Sequence, residues 1–76
     1  MGEKLIYVTT KNKTEAKKIG LVLVKEKLAT CVNIWGGMDS IYWWKGRIEK
    51  MKEAILLVKT DKRQLKKIKK RIKALH

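Results

Sequence analysis

The chain has 76 residues, with 20 Lys and Arg against 7 Asp and Glu, for a formal net charge of +13. That length allows one small domain, residues 1–76, and an apolar fraction of 45% is too high for a disordered basic tail. No apolar run approaches the roughly 20 residues that cross a bilayer, and one Cys with one His excludes a Cys/His zinc module within a single chain.

Met1 to Tyr7 lacks the long apolar stretch and the small-residue cleavage pair of a secretory signal, so no signal peptide is expected. The lone Cys31 has no internal disulfide partner, which agrees with a reducing compartment. Residues 4–10 are β-branched and aromatic, and the run Leu5 to Val8 suits a strand covered on both faces. Asn12 then reads as an N-cap, with Glu15 closing a capping box. Ala16, Ile19, Gly20, Leu23 and Val24 recur at helical spacing, ending at Leu28. Leu21 and Val22 widen that sector, which predicts a helix covered by more than one neighbour.

Thr30 to Trp35 reads as a second strand, and Gly36-Gly37 as a bulge rather than an end. The pattern resumes at Ser40 and runs to Trp44. Lys45-Gly46 is a two-residue hairpin turn. Arg47 to Lys52 alternates loosely, and Ala54 to Val58 is a fully apolar strand. Asp61 caps the last element, with Gln64 at the box position. Leu65, Ile68, Ile72 and Leu75 form a helical stripe.

The order β-α-β-β-α joins a crossover unit to an antiparallel hairpin. A mixed sheet with both helices on one face is expected, in the α+β class. This is a ferredoxin-like βαββαβ unit without its last strand. Residues 31 to 44 would extend roughly 45 Å at about 3.3 Å per residue. A compact chain of this length has a radius of gyration of about 11 Å. The hairpin should therefore project, carrying Ile41 and Trp43 on one face and Tyr42 and Trp44 on the other. Apolar surface on both faces of a projecting ribbon predicts an interface between copies of the chain.

Three stretches resemble the CutA family of divalent-cation tolerance proteins. They are Leu28-Ala29-Thr30-Cys31-Val32-Asn33-Ile34, Ser40-Ile41-Tyr42-Trp43-Trp44-Lys45-Gly46-Arg47-Ile48, and Leu56-Leu57-Val58-Lys59-Thr60. The opening strand ending Thr9-Thr10, the long first helix and the terminal Arg71-Ile72-Lys73-x-Leu75-His76 extend the resemblance over the whole chain. It implies a ferredoxin-like fold, a homotrimer built through the hairpins in a PII-like arrangement, and a cytoplasmic protein. It also implies a link to tolerance of copper and other divalent ions, without catalytic residues.

The chain departs from that family pattern in three ways. Family sequences continue past the position of His76 with a Pro-Tyr-x-x-Pro-Glu segment, a strand and a helix, so the resemblance implies a C-terminally truncated domain. Some members carry a cysteine, proposed as a metal ligand, where Thr9 stands. Where those members have paired histidines, this chain has Leu75-His76.

His76 is thus the one transferable metal ligand, and one ligand implies at most weak binding of copper or another divalent cation. Cys31, opening an apolar strand, reads as a small hydrophobe rather than a ligand. No acid/base pair or nucleophile triad is legible, so the expectation is a protein that is not an enzyme and requires no cofactor. The carboxylates Glu3, Glu15, Glu26, Glu49, Glu53 and Asp61 read as surface ion-pair partners.

From Asp61 to His76 there are eight basic residues and one acidic one, a local charge of +7. That density suggests non-specific, salt-sensitive polyanion binding. The aromatics expected of a nucleic-acid module sit instead at the hairpin end. Three readings follow: a trimer-forming tolerance protein, a basic α+β module for nucleic acid or another polyanion, and an incomplete fragment without independent activity. In all three, strand one is expected at an open sheet edge or covered from outside the ordinary fold.

Overall fold

A computed structural model describes residues 2–76. The elements follow the order read from the sequence: β1 (Glu3–Thr10), α1 (Lys13–Lys25), β2 (Cys31–Trp44), β3 (Arg47–Asp61) and α2 (Leu65–Leu75), with a 3-10 turn, Lys62–Gln64, leading into α2. The sheet order is β1-β3-β2, and β3 is antiparallel to both neighbours. The expected mixed sheet is therefore corrected to an antiparallel one. β1 and β2 do run the same way, as a crossover through α1 requires, but β3 lies between them, and among the described residues no parallel pair is hydrogen-bonded.

β3 shows why the helices occupy one face. Ala54, Leu56, Val58 and Thr60 are buried, and the residues between them are half-buried. Ala54, Leu56 and Val58 join Ala16, Ile19 and Leu23 of α1, Ala29, and Ile68 of α2 in one core. Ile6, Val8, Val32 and Ile34 pack around it. Fully burying an aliphatic side chain of this size contributes about 1.5–3 kcal/mol. The helix side is also complete in its polar groups. The Thr60 hydroxyl donates to the Leu28 carbonyl at 2.6 Å and the Thr10 hydroxyl to the Asn12 carbonyl at 2.9 Å. Among the described residues no buried side-chain polar atom lacks a partner.

The expectation that Leu5 to Val8 is covered on both faces is not met within one chain. Ile6 and Val8 face the helices, while Leu5 and Tyr7 are each 60% exposed. The two helices cover one side of a three-stranded sheet and leave the other bare. α1 behaves similarly: its buried residues are Ala16, Ile19, Gly20 and Leu23, and Leu21 and Val24 face outward. A Cβ on Gly20 would stand 3.0 Å from a Val32 methyl and 3.3 Å from a Leu56 methyl, so the missing side chain lets α1 sit close on the sheet.

Asn12 caps as expected, its Oδ1 accepting from the Glu15 amide at 2.8 Å; Glu15 reaches back one residue further than a capping box requires and accepts from the Lys11 amide at 2.9 Å. α1 ends at Lys25, before the Leu28 limit set by periodicity. Lys27 turns into the left-handed region at φ 59°, and the Leu28 and Ala29 amides both reach back to the Leu23 carbonyl. A lysine at that position carries none of the stop signal a glycine would give. Asp61 caps as expected, accepting from the Arg63 amide at 2.8 Å, whereas Gln64 makes no side-chain capping bond.

Candidate functional site

β2 and β3 continue past the helices as a two-stranded ribbon. The molecule measures 42 × 22 × 20 Å and its radius of gyration is 13.5 Å, against the roughly 11 Å of a compact chain this long. The bulge falls between Trp35 and Met38, with Gly37 at φ +66°, and pairing then runs unbroken from Met38↔Glu53 to Trp44↔Arg47. Lys45 and Gly46 both have positive φ, the combination that matches the twist of a two-residue hairpin.

Register divides the hairpin residues between two faces. Ile41, Trp43 and Ile48 lie on the side that faces the helices lower down. Tyr42, Trp44 and Met51 lie on the other. None folds back onto the core: Ile41 is 68% exposed, Trp43 72% and Trp44 58%, and Tyr42 and Ile48 are exposed as well. The Tyr42 hydroxyl touches the Met51 sulfur at 3.8 Å, and the Lys45 ammonium stands 5.7 Å from the Trp44 ring centre.

The Tyr42 face runs down into the bare side of the sheet. Tyr7, Trp35, Met38, Ile55 and Leu57 there frame a shallow depression of about 460 Å³. The Tyr7 hydroxyl reaches the Met38 sulfur at 3.4 Å across it. Sequence reasoning missed this surface. Its signal was the alternation of Ile55 and Leu57 with Ala54, Leu56 and Val58, which an unbroken apolar run conceals.

The metal-ligand candidates do not converge. His76 sits at the β1 edge, its Nε2 2.8 Å from the Thr9 carbonyl oxygen. For that contact to be a hydrogen bond, Nε2 carries the proton and donates, leaving the Nδ1 lone pair free. Cys31 opens β2 at the opposite edge and is half-buried. Among the described residues no three His, Cys, Asp or Glu side chains group as a metal site.

Several carboxylates take the ion-pair role expected of them. Glu26 accepts from Arg71 Nε at 2.9 Å and from Arg71 Nη2 at 2.8 Å, which ties the end of α1 to α2. Asp61 pairs with Arg63 and Glu49 with Arg47; Asp39, which the sequence reading did not single out, pairs with Lys52. The Arg71 hydrogen bonds, reinforced by its charge, hold Glu26 below the usual carboxylate range and raise Arg71 in turn. The Arg63 backbone and side-chain hydrogen bonds do the same to Asp61. The basic residues of α2 are exposed apart from half-buried Arg71. Tyr7 borders the same groove as Lys69, Lys70 and Lys73, but it belongs to the bare face of the sheet, where its hydroxyl reaches Met38.

The family model of the CutA1 divalent ion tolerance protein matches residues 4–76. The divalent-cation tolerance protein CutA of Thermus thermophilus is 43% identical over 74 residues, which is 97% of this chain and 72% of the relative. The chloroplastic protein CutA 1 of Oryza sativa is 39% identical over 72 residues, 95% of this chain and 41% of the relative. The chain thus spans less than half of the rice relative. The solved Thermus structure superposes with a TM-score of 0.92, covering 99% of this chain and 73% of that one. A periplasmic divalent cation tolerance protein CutA from Archaeoglobus fulgidus gives 0.92 at 36% identity, covering 99% and 72%. These neighbours match the α+β, ferredoxin-like arrangement of sheet and helices. No helix of the described residues is long and apolar enough to cross a membrane.

The Glu26–Arg71 clamp predicts a pH dependence with a definite sign. A carboxylate whose folded pKa is depressed stabilises the fold above its unfolded pKa, and that contribution is lost as pH falls through the folded value. Glu26→Gln should lower the melting temperature slightly at pH 7, and the gap from the parent should close in acid, below the ordinary carboxylate range. Melting curves by circular dichroism across pH check this; a gap that widens in acid contradicts it.

Proposed function

The chain belongs to the CutA1 divalent ion tolerance family, and from that membership we propose that it is a non-enzymatic divalent-cation tolerance protein that works as a homotrimer. The observation that carries this reading is the hairpin, which leaves the globule with Ile41, Tyr42, Trp43 and Trp44 all exposed and continues into an apolar sheet face. Large aromatic surfaces are the usual anchors of interfaces, and no element among the described residues covers them. A closed ring of three copies would cover both faces of each ribbon at once, in the PII-like arrangement that the sequence resemblance implies. The location in this reading is cytoplasmic. The charge on α2 supports no more than non-specific electrostatic contact with polyanions.

Sedimentation equilibrium at micromolar protein should give three times the chain mass. Replacing Trp43 and Trp44 together by Ser should dissociate or unfold the assembly. A well-folded monomer of the unmodified chain would refute the reading.

Copper or another divalent cation enters through His76 Nδ1. The Nε2 contact with the Thr9 carbonyl orients the ring, as outer hydrogen bonds orient metal-bound imidazoles. One imidazole with backbone and water is a poor ligand set, so calorimetric titration with copper should show at most micromolar affinity, weakened by His76→Ala. Nanomolar binding that survives the substitution would contradict His76 as the ligand.

A further inference from the structure

The positive charge is not spread evenly over the chain. Residues 11–30, which contain α1, hold six basic residues and two acidic ones, and residues 61–76, which contain α2, hold eight and one. The two helical segments thus carry +11 of the chain's +13, and the remaining residues, mostly strand, carry +2. All twelve lysines of the helical segments are exposed, and among the described residues none of them is in an ion pair. The two arginines are engaged with carboxylates instead, Arg63 with Asp61 and Arg71 with Glu26. At helical spacing, Lys18 and Lys25 stand opposite the buried side of α1, and Lys66, Lys67 and Lys70 opposite the buried side of α2. These faces point away from the sheet, so their exposure does not depend on what lies along either sheet edge.

We propose that the outward face of the helix layer binds inorganic polyphosphate, a flexible linear polymer with a negative charge at every phosphate. This names a partner for the polyanion contact described above, and it stands independently of the homotrimer. Charge complementarity carries it: neutralising a run of phosphates releases condensed counterions, and that release supplies the affinity. Lysine ammonium groups are point charges on flexible stems, so they follow a mobile chain without a fixed geometry. Nothing on the layer stacks on a base. The chain's aromatics, Tyr7, Trp35, Tyr42, Trp43 and Trp44, all lie on β1 and β2, and stacking on such rings is what holds a single-stranded nucleic acid. An anionic bilayer would take large apolar side chains among the cations, and the exposed ones on the helices are only Leu21 and Val24. The apolar sheet face lies on the opposite side of the molecule, so self-association through that face leaves these lysines outside the contact.

The probe is long-chain inorganic polyphosphate, end-labelled with fluorescein and titrated by anisotropy into the unmodified chain. The association constant should fall with salt at a log–log slope of about −0.7 per phosphate neutralised. Lys66→Gln, Lys67→Gln and Lys70→Gln together should weaken binding about tenfold or more, and the matched strand set Lys45→Gln, Lys50→Gln and Lys59→Gln less than about threefold. Equal losses in the two sets would show that total charge binds and would overturn the helix layer as the site. Lysine acetylation of the unmodified chain gives a second reading that no variant's folding can disturb. Polyphosphate should slow it at Lys18, Lys25, Lys66, Lys67 and Lys70 and leave Lys45 and Lys50 as reactive as before; uniform slowing, or none, contradicts the assignment. Tighter binding of oligo-dT with the same number of phosphates, or of phosphatidylserine vesicles, at the same salt would give the surface to a nucleic acid or a membrane and overturn polyphosphate as the partner. A chain that sediments as a monomer and still meets these expectations refutes the homotrimer and upholds this proposal.

Discussion

β3 lies between β1 and β2, and the rest of the molecule depends on that placement. It has strand neighbours on both edges, so it carries the alternation that defines inside and outside for the whole sheet. Ala54, Leu56, Val58 and Thr60 face the helices and are buried. Ile55 and Leu57 face away and are half-buried only because Tyr7 and Trp35 flank them. Shifting β3 by one residue would exchange these two sets, which fixes the register firmly. The same strand then runs on as half of the hairpin, so the core and the projecting ribbon are one continuous element.

Two consequences follow from covering one face of a sheet with two helices. The bare face is apolar, and the ribbon beyond it has no third layer on either side. A short chain can bury only a modest share of its surface, and here the unburied remainder is concentrated rather than scattered. The concentration is what gives the surface a use: Trp35, Tyr7 and Met38 at the base are continuous with Tyr42 and Trp44 at the tip. The densest positive charge lies elsewhere: α2 carries +6 of the chain's +13 at the β1 edge, and no aromatic of the hairpin lies there.

The order of elements was legible because each carries its own local signal: Asn12 and Glu15 at the start of α1, Lys45-Gly46 at the turn, and a 3.6-residue stripe in α2. The bulge was legible in Gly36-Gly37. Strand neighbours were not, because a crossover fixes direction but does not say whether another strand will be inserted; the sheet is antiparallel for that reason. The end of α1 was overrun because Lys27 adopts the left-handed conformation without a glycine. The exposure of Leu5 and Tyr7 was also hidden, since an apolar run looks the same whether its second face meets a helix, another subunit or water. The hairpin aromatics were legible by position. Their exposure within one chain was inferred from length, and the 42 Å long axis agrees with it.

The central claim is that other copies of the chain cover the bare sheet face and the hairpin. Tryptophan accessibility tests it most directly, because Trp35, Trp43 and Trp44 are 51%, 72% and 58% exposed in the single chain and lie on the surfaces in question. Acrylamide quenching of the native protein at micromolar concentration should be several-fold weaker than that of free N-acetyltryptophanamide, and the emission should be shifted to the blue. Quenching close to that of the free amide, in a protein that is folded by circular dichroism, would show the aromatics open to water and would contradict the account.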